Sequence, residues 1–136
     1  MIFKTLFGSS KRVKKPKNYL INWNSSSRSK IQYETKQYLK KFWSQDIVFE
    51  EFPIAGTKMS LDFYNSNKNV AVEVQGNQHL KYTPFFHGES KSNFLHQIKR
   101  DDEKKAFCEL NNIKLVEIYP NDKLSKNLFK NFGVIL

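Results

Sequence analysis

The sequence of 136 residues predicts an α/β domain with a mixed, mostly four-stranded sheet flanked by helices. Two observations support this prediction. Apolar and polar residues alternate, or β-branched and aromatic residues cluster, over 46–52, 58–65 and 69–75, which is typical of strands. Apolar residues recur at helical spacing both before and after these three predicted strands, which indicates a helix on each side of them. An apolar run over 113–119 predicts a fourth strand after the second helix.

The first helix is predicted to follow the serine cluster at 25–27 and to end near Trp43. Its apolar residues share one helical face and are Ile31, Tyr38, Leu39, Phe42 and Trp43. Glu34 falls within the gap of that stripe, so it is expected to face inward. Lys36 takes another face, where it would be free to meet phosphates.

A second helix is expected from Ser92 or Asn93 to about Asn111, after a long polar loop. Its length suits a crossover, so the strands on either side of it should be parallel. A short third helix, capped by Asn121 or Asp122 and closed by Gly133, completes the domain.

Length and composition limit the classes of protein that the chain can represent. It holds one domain's worth of residues, and its 12 Phe, 6 Tyr and 2 Trp supply a large apolar core. No apolar run reaches the roughly 18 residues that a membrane span needs, so no membrane partner is expected. The single Cys108 excludes an internal disulfide and a multi-cysteine zinc site. A cytoplasmic location is expected.

Positive charge is concentrated at the start of the chain. The net charge is +10, and the first 41 residues hold 11 Lys or Arg and one acid. The remainder is balanced, so residues 1–27 are predicted to form a basic arm ahead of a single domain over 28–136. Such an arm is typical of proteins that bind nucleic acid. The candidate DNA-binding residues are Lys11, Arg12, Lys14, Lys15, Lys17, Arg28 and Lys30.

The motif LDFYNSNKNVAVEVQGNQH places two acids on a predicted hairpin. Asp62 lies on the first strand, and Glu73 and Gln75 share one face of the second. Two carboxylates from adjacent strands suit Mg²⁺, which prefers oxygen ligands and keeps several waters. The predicted metal ligands are therefore Asp62, Glu73 and Gln75. His79, just beyond the strand, could act as a general acid or base.

These features resemble the PD-(D/E)xK nucleases, and in particular the very-short-patch-repair-like branch of small phage and bacterial endonucleases with an EDxHD-type pattern. The resemblance runs from about Arg28 to Tyr119 and includes LDFY, VAVEVQGNQH and RDDEKKAFCELNNIKLVEIY. It implies a restriction-endonuclease-like core and a DNA endonuclease dependent on Mg²⁺ or Mn²⁺. It also implies catalytic roles for Glu34, Asp62, Glu73, Gln75, His79 and one helix aspartate.

Two departures from the family pattern leave alternatives open. Gln75 stands where many relatives carry lysine, and it cannot serve as a cation or a base. The family spacing to the following residues favours Asp101 as the helix acid, whereas the helical wheel favours Asp102, and Asp101 is the residue predicted to be catalytic. The leading hypothesis is an endonuclease, with nicking and structure-specific cleavage both left open. The alternative is a catalytically weak or inactive nuclease-fold module for DNA binding or assembly. A phage origin, with the host cytoplasm as location, is expected from the resemblance. A homodimer and a larger phage assembly are both left open.

Overall fold

The computed structural model describes residues 1–76 and 91–136. The predicted polar loop, including His79 and His87, lies outside the described residues. Within them, ten elements follow one another: β1 (Ile2–Lys4), β2 (Ser10–Arg12), a 3₁₀ helix (Pro16–Tyr19), α1 (Lys30–Trp43), β3 (Val48–Pro53), β4 (Ser60–Asn65), β5 (Val70–Val74), α2 (Lys91–Leu110), β6 (Lys114–Ile118) and α3 (Lys126–Lys130). The order of helices and strands from α1 onward agrees with the prediction.

The main sheet has four strands in the order β3-β4-β5-β6. β3, β4 and β5 are antiparallel neighbours, with Phe63 opposite Val72 in the second pair. β5 and β6 are parallel, and α2 is the crossover between them. The predicted mixed four-stranded sheet flanked by helices is therefore confirmed.

The sheet separates two apolar clusters because side chains alternate between its faces. One face packs against α1 and α3, where Leu39, Trp43 and Phe129 are fully buried. The other face packs against α2 and the N-terminal segment, through residues that include Phe107 and Phe3. A sheet covered on both faces can keep polar side chains at the ends of its strands in a sheltered setting.

The basic N-terminal segment is packed against the domain. β1 and β2 form an antiparallel hairpin, which the sequence pattern did not reveal. Phe3 and Val13 are buried, and the Phe3 ring contacts the rings of Phe52 and Phe107, each with 5.7 Å between centroids. Pro16 opens the 3₁₀ helix, at a position where its missing N–H costs nothing.

Helix α1 buries a different face from the predicted one. Ser29, rather than the serines at 25–27, caps it by accepting a hydrogen bond from the Gln32 amide. Leu39 and Trp43 are buried as expected, but the same stripe continues through Gln32, Thr35 and Lys36. The inward orientation predicted for Glu34 is wrong, since this residue is exposed.

The expectation that Lys36 is free to meet phosphates is also wrong. Its side chain is 0% exposed and lies 2.8 Å from the Glu50 carboxylate. It also donates to the carbonyl oxygens of Asn22 and Ser25, both at 3.0 Å. A polar stripe can face inward here because each of its groups has a partner.

The other helices keep their predicted places with shifted ends. α2 begins at Lys91, and α3 is capped by Ser125 instead of Asn121 or Asp122. The Asp122 carboxylate instead accepts a hydrogen bond from the Tyr119 amide. Across the described ranges, no helix combines the length and the apolar character required to cross a membrane.

Candidate functional site: a carboxylate pair between two strands

Asp62 and Glu73 lie together where β4 and β5 stop forming a regular ladder. Phe63 pairs with Val72 in this antiparallel register, so Asp62 lies opposite Glu73 at the next position. The Asp62 amide donates to Oε2 of Glu73 at 2.7 Å, and the Val74 amide donates to Oδ2 of Asp62 at 2.8 Å. Each carboxylate therefore accepts a main-chain N–H from the opposite strand.

This arrangement places two acids in a poorly solvated position. Glu73 is only 4% exposed, and Asp62 is partly buried. Burial, together with the negative charge of Glu73, raises the pKa of Asp62 to about 8, despite the hydrogen bond from Val74. At neutral pH this position therefore favours a protonated Asp62, or a nearby cation, over a second free charge beside Glu73.

Lys104 of α2 supplies a positive charge to this pair. Its Nζ lies 2.6 Å from Oε1 of Glu73. Burial would lower the pKa of Lys104, but Glu73, Asp62 and Asp101 raise it above its usual value. Lys104 was not predicted as a site residue. It is 31 positions from Glu73 along the chain, so no local spacing in the sequence points to this contact.

Gln75 is directed toward a neighbouring acidic group. It is 5% exposed, and its side-chain amide donates to Oε2 of Glu117 on β6 at 3.2 Å. Lys105 lies 3.5 Å from Oε1 of Glu117, and the Tyr119 hydroxyl donates to Oε2 at 3.5 Å. The described contacts of Gln75 thus tie β5 to β6, next to the carboxylate pair.

Glu51 is a second residue that the sequence did not reveal as part of this region. It has a φ of 53°, which is unusual for a residue with a side chain, and it faces Asp62 across the β3–β4 pair. Its carboxylate receives hydrogen bonds from Gln32 and Ser60, and Arg28 lies 2.7 Å away. Its negative charge also contributes to the raised pKa of Asp62.

The remaining predicted site residues fall into three groups. Glu34 is exposed on α1, away from the inward stripe. His79 lies outside the described residues. Asp101 acts electrostatically on Lys104 and Tyr119, so it is on the side of α2 that approaches the carboxylates. Asp102 is exposed and lines an outer groove with Leu95 and Ile98.

The predicted DNA-binding cations are exposed. Lys11, Arg12, Lys14, Lys15 and Lys17 lie on or beside the hairpin and the 3₁₀ helix, and Arg28 and Lys30 lie at the start of α1. Arg28 is 72% exposed although it pairs with Glu51. In the described ranges, no three His, Cys, Asp or Glu side chains form a group that could hold a metal ion by themselves.

Comparison with known proteins identifies viral relatives over about half of the chain. The chain is 36% identical over 66 residues to uncharacterized protein 094L of Frog virus 3 (isolate Goorha), covering 48% of the chain and 43% of the relative. It is 34% identical over 73 residues to uncharacterized protein 033L of Invertebrate iridescent virus 3, covering 54% and 37%. It is 37% identical over 60 residues to uncharacterized protein 307L of Invertebrate iridescent virus 6, covering 44% and 30%.

The aligned stretches span less than half the length of each of these relatives. No family model matches the chain, and no solved structure matches it. The relatives place similar sequences in viruses, and any activity of the chain has to be argued from its own residues.

Proposed function

We propose that this protein is a metal-dependent DNA endonuclease with a restriction-endonuclease-like core, and that Asp62 and Glu73 form its metal site. The supporting observation is the interlocked carboxylate pair, held by two main-chain hydrogen bonds and accompanied by Lys104. Burial and the charge of Glu73 make Asp62 costly to ionise, and a divalent cation would offset that cost.

The donor set fits the proposed cofactor. Mg²⁺ and Mn²⁺ prefer oxygen ligands, and Mg²⁺ is commonly held by one or two carboxylates together with waters and substrate phosphates. A group of three protein acids is therefore not required. When bound, such an ion would supply a Lewis acid for the phosphate and lower the pKa of a nearby water. Asp62 and Glu73 would hold it, and Oδ1 of Asp62 accepts no hydrogen bond from a described residue.

Lys104 would perform the task for which Gln75 is unsuited. Its ammonium group is charged at neutral pH, because Glu73 and the nearby aspartates raise its pKa. An ammonium group beside a bound phosphate stabilises negative charge that grows as the bond to the attacking oxygen forms. We therefore assign the stabilisation of this negative charge to Lys104 of α2 instead of to Gln75. The proton-transfer role of His79 remains a prediction.

The second candidate is a catalytically inactive DNA-binding or assembly module with the same fold. The Glu73 contacts favour it, because Lys104 and the Asp62 amide already satisfy both oxygens of that carboxylate. In this case Lys104 would replace the metal. Such a protein would bind DNA through the exposed cations without altering it.

Cleavage of supercoiled plasmid with Mg²⁺ or Mn²⁺ tests the proposal. The wild type should convert supercoiled DNA to nicked or linear DNA, and Asp62→Ala should not, although it still binds DNA. Glu109→Gln is a matched control, because it removes an exposed acid from α2 and should cleave normally. Wild-type protein that binds plasmid but leaves it intact with either metal would support the inactive module instead.

Viral origin is part of the same proposal. The three relatives described above come from viruses, and a viral nuclease would act on DNA in an infected cell. Partners beyond DNA, including a second copy of the chain or a larger viral assembly, remain proposals that assays of oligomeric state would address.

A further inference from the structure

We infer that a surface groove bounded by the N-terminal hairpin, the β3 edge of the sheet and α1 binds single-stranded DNA. This inference deepens the proposed function, since it names the form of DNA that would reach the site. The groove consists of three adjoining notches, and the argument depends on their shared residues, their charge and their exposed rings.

The three notches adjoin one another, because neighbouring notches share lining residues. Tyr19 lines both the notch beside β2 and the next one, and Ser26 and Ser27 line both the second and the third. The notches have volumes of about 260, 260 and 400 Å³. Ligand pockets commonly range from about 300 to 1,000 Å³, so each notch suits a small unit such as one nucleotide.

The groove reaches β3, the strand next to the one that carries Asp62. Glu51 lines the second notch, and its charge acts on Asp62. Ser60, which donates to Glu51, lies two residues before Asp62 on β4. A strand bound in the groove would therefore pass Arg28, the partner of Glu51, and lie along β3, which is the sheet neighbour of the strand that carries Asp62.

The charge of the groove suits a phosphate backbone. Five of its lining residues are cations, namely Lys11, Arg12, Lys14, Arg28 and Lys30, and two are acids. Both acids are neutralised, Glu50 by the buried Lys36 and Glu51 by Arg28. The positive charges of the other lining cations, Lys11, Arg12, Lys14 and Lys30, are therefore available to bind phosphates.

The aromatic and polar side chains favour unpaired bases over a duplex. Tyr33 is 39% exposed and lines the third notch, and the half-buried Tyr19 separates the first two. Base faces can stack on such rings only when the bases are not stacked within a duplex. Asn18 and Ser26 add an amide and a hydroxyl to the groove, and neither side chain bonds to another described residue, so both can bond to exposed base edges.

Fluorescence anisotropy with labelled oligonucleotides of about 12 nucleotides tests this inference. Binding is measured in EDTA, so the result does not depend on cleavage or on a metal. Wild-type protein should bind the single strand at least about tenfold more tightly than a blunt duplex of the same sequence. Tyr33→Ala should weaken single-strand binding by about tenfold, which is within the effect of losing one stacked base. Tyr33→Phe should keep the affinity.

The matched control is Phe7→Ala, which removes a ring that is 77% exposed and lies beside α2, outside the groove. It should leave the affinity unchanged. Equal affinity for both DNA forms, or no effect of Tyr33→Ala, would overturn the inference even if plasmid cleavage is observed. Tighter binding of RNA of the same sequence would overturn the assignment to DNA. Failure of plasmid cleavage alone would count only against the nuclease.

Discussion

The Asp62 amide donates a 2.7 Å hydrogen bond to the Glu73 carboxylate, and the charge of that carboxylate in turn raises the pKa of Asp62. The two residues are thus coupled through the main chain and through their charges. A purely structural pair would lose stability when one of its charges is removed, whereas a pair kept for function at the expense of stability would gain it. This difference separates a functional role from a structural one.

Asp62→Asn should stabilise the metal-free protein at pH 8. The amide oxygen can still accept from Val74, and the buried charge next to Glu73 is gone. The free energy of unfolding should rise by roughly 1 kcal/mol or more, because one pKa unit corresponds to about 1.4 kcal/mol. Denaturant unfolding followed by circular dichroism measures it. A loss of stability would indicate that the carboxylate of Asp62 is structural.

The pH dependence of stability has a definite sign. The pKa of Asp62 is about 8 in the folded state and near 3.8 when unfolded, so the folded state holds the extra proton between these values. Its contribution to stability is present at low pH and is lost as pH rises toward 8. Unfolding measured from about pH 5 to 8 should therefore show a steeper decline in wild type than in Asp62→Asn. Parallel curves would contradict the raised pKa.

Lys104→Met should destabilise the protein by roughly 3 kcal/mol, because it leaves the nearly buried Glu73 carboxylate without its cation. Lys99→Met is the matched control on the same helix. Lys99 is 76% exposed and lies 4.0 Å from Glu103, so its loss should change stability by less than about 0.5 kcal/mol. Thermal melts of both variants make the comparison. Equal effects would show that Lys104 does not stabilise a buried charge.

Lys36 and Glu50 should behave as a coupled pair. Lys36→Met leaves Glu50 unpaired and should cost roughly 3 kcal/mol, whereas adding Glu50→Gln should restore part of that loss. A double-mutant cycle by denaturant unfolding measures the coupling energy. Additive effects would mean that the two side chains do not interact in solution.

Removal of the hairpin cations should lower the salt dependence of DNA binding. A triple variant in which Gln replaces Lys11, Arg12 and Lys14 should show a smaller slope of log affinity against log salt concentration. The slope should fall by about 2 to 3, because each phosphate contact contributes roughly 0.7 to 0.9 to it. A triple change of the exposed Lys123, Lys126 and Lys130 to Gln removes the same charge near α3. That control should leave the slope unchanged. Equal reductions would point to nonspecific charge instead of a defined surface.

Patterns that depend on neighbouring residues were predictable from the sequence. Alternation in β4 and β5 placed Asp62 and Glu73 on facing strands, and the crossover length predicted the parallel pairing of β5 with β6. The antiparallel hairpin at the N-terminus was missed because each of its strands has three residues, too few to show a period.

Partners that are distant in sequence were not predictable. The sequence predicts Lys36 to be a surface residue, because its ion-pair partner Glu50 lies 14 positions later, on β3. Lys104 meets Glu73 across 31 positions, and no local spacing encodes that contact. Glu34 was assigned inward from a stripe of apolar residues, whereas the helix buries a stripe that includes Gln32 and Lys36 because those groups find polar partners.

Calorimetric titration with Mn²⁺ tests the central claim, that Asp62 and Glu73 hold a divalent cation, most directly. At pH 8 the wild type should show one saturable site, and Asp62→Asn should show none. Binding should weaken near pH 6, because the metal must then displace a proton from Asp62. Absence of binding to the wild type at pH 8, or equal affinity in Asp62→Asn, would contradict the account.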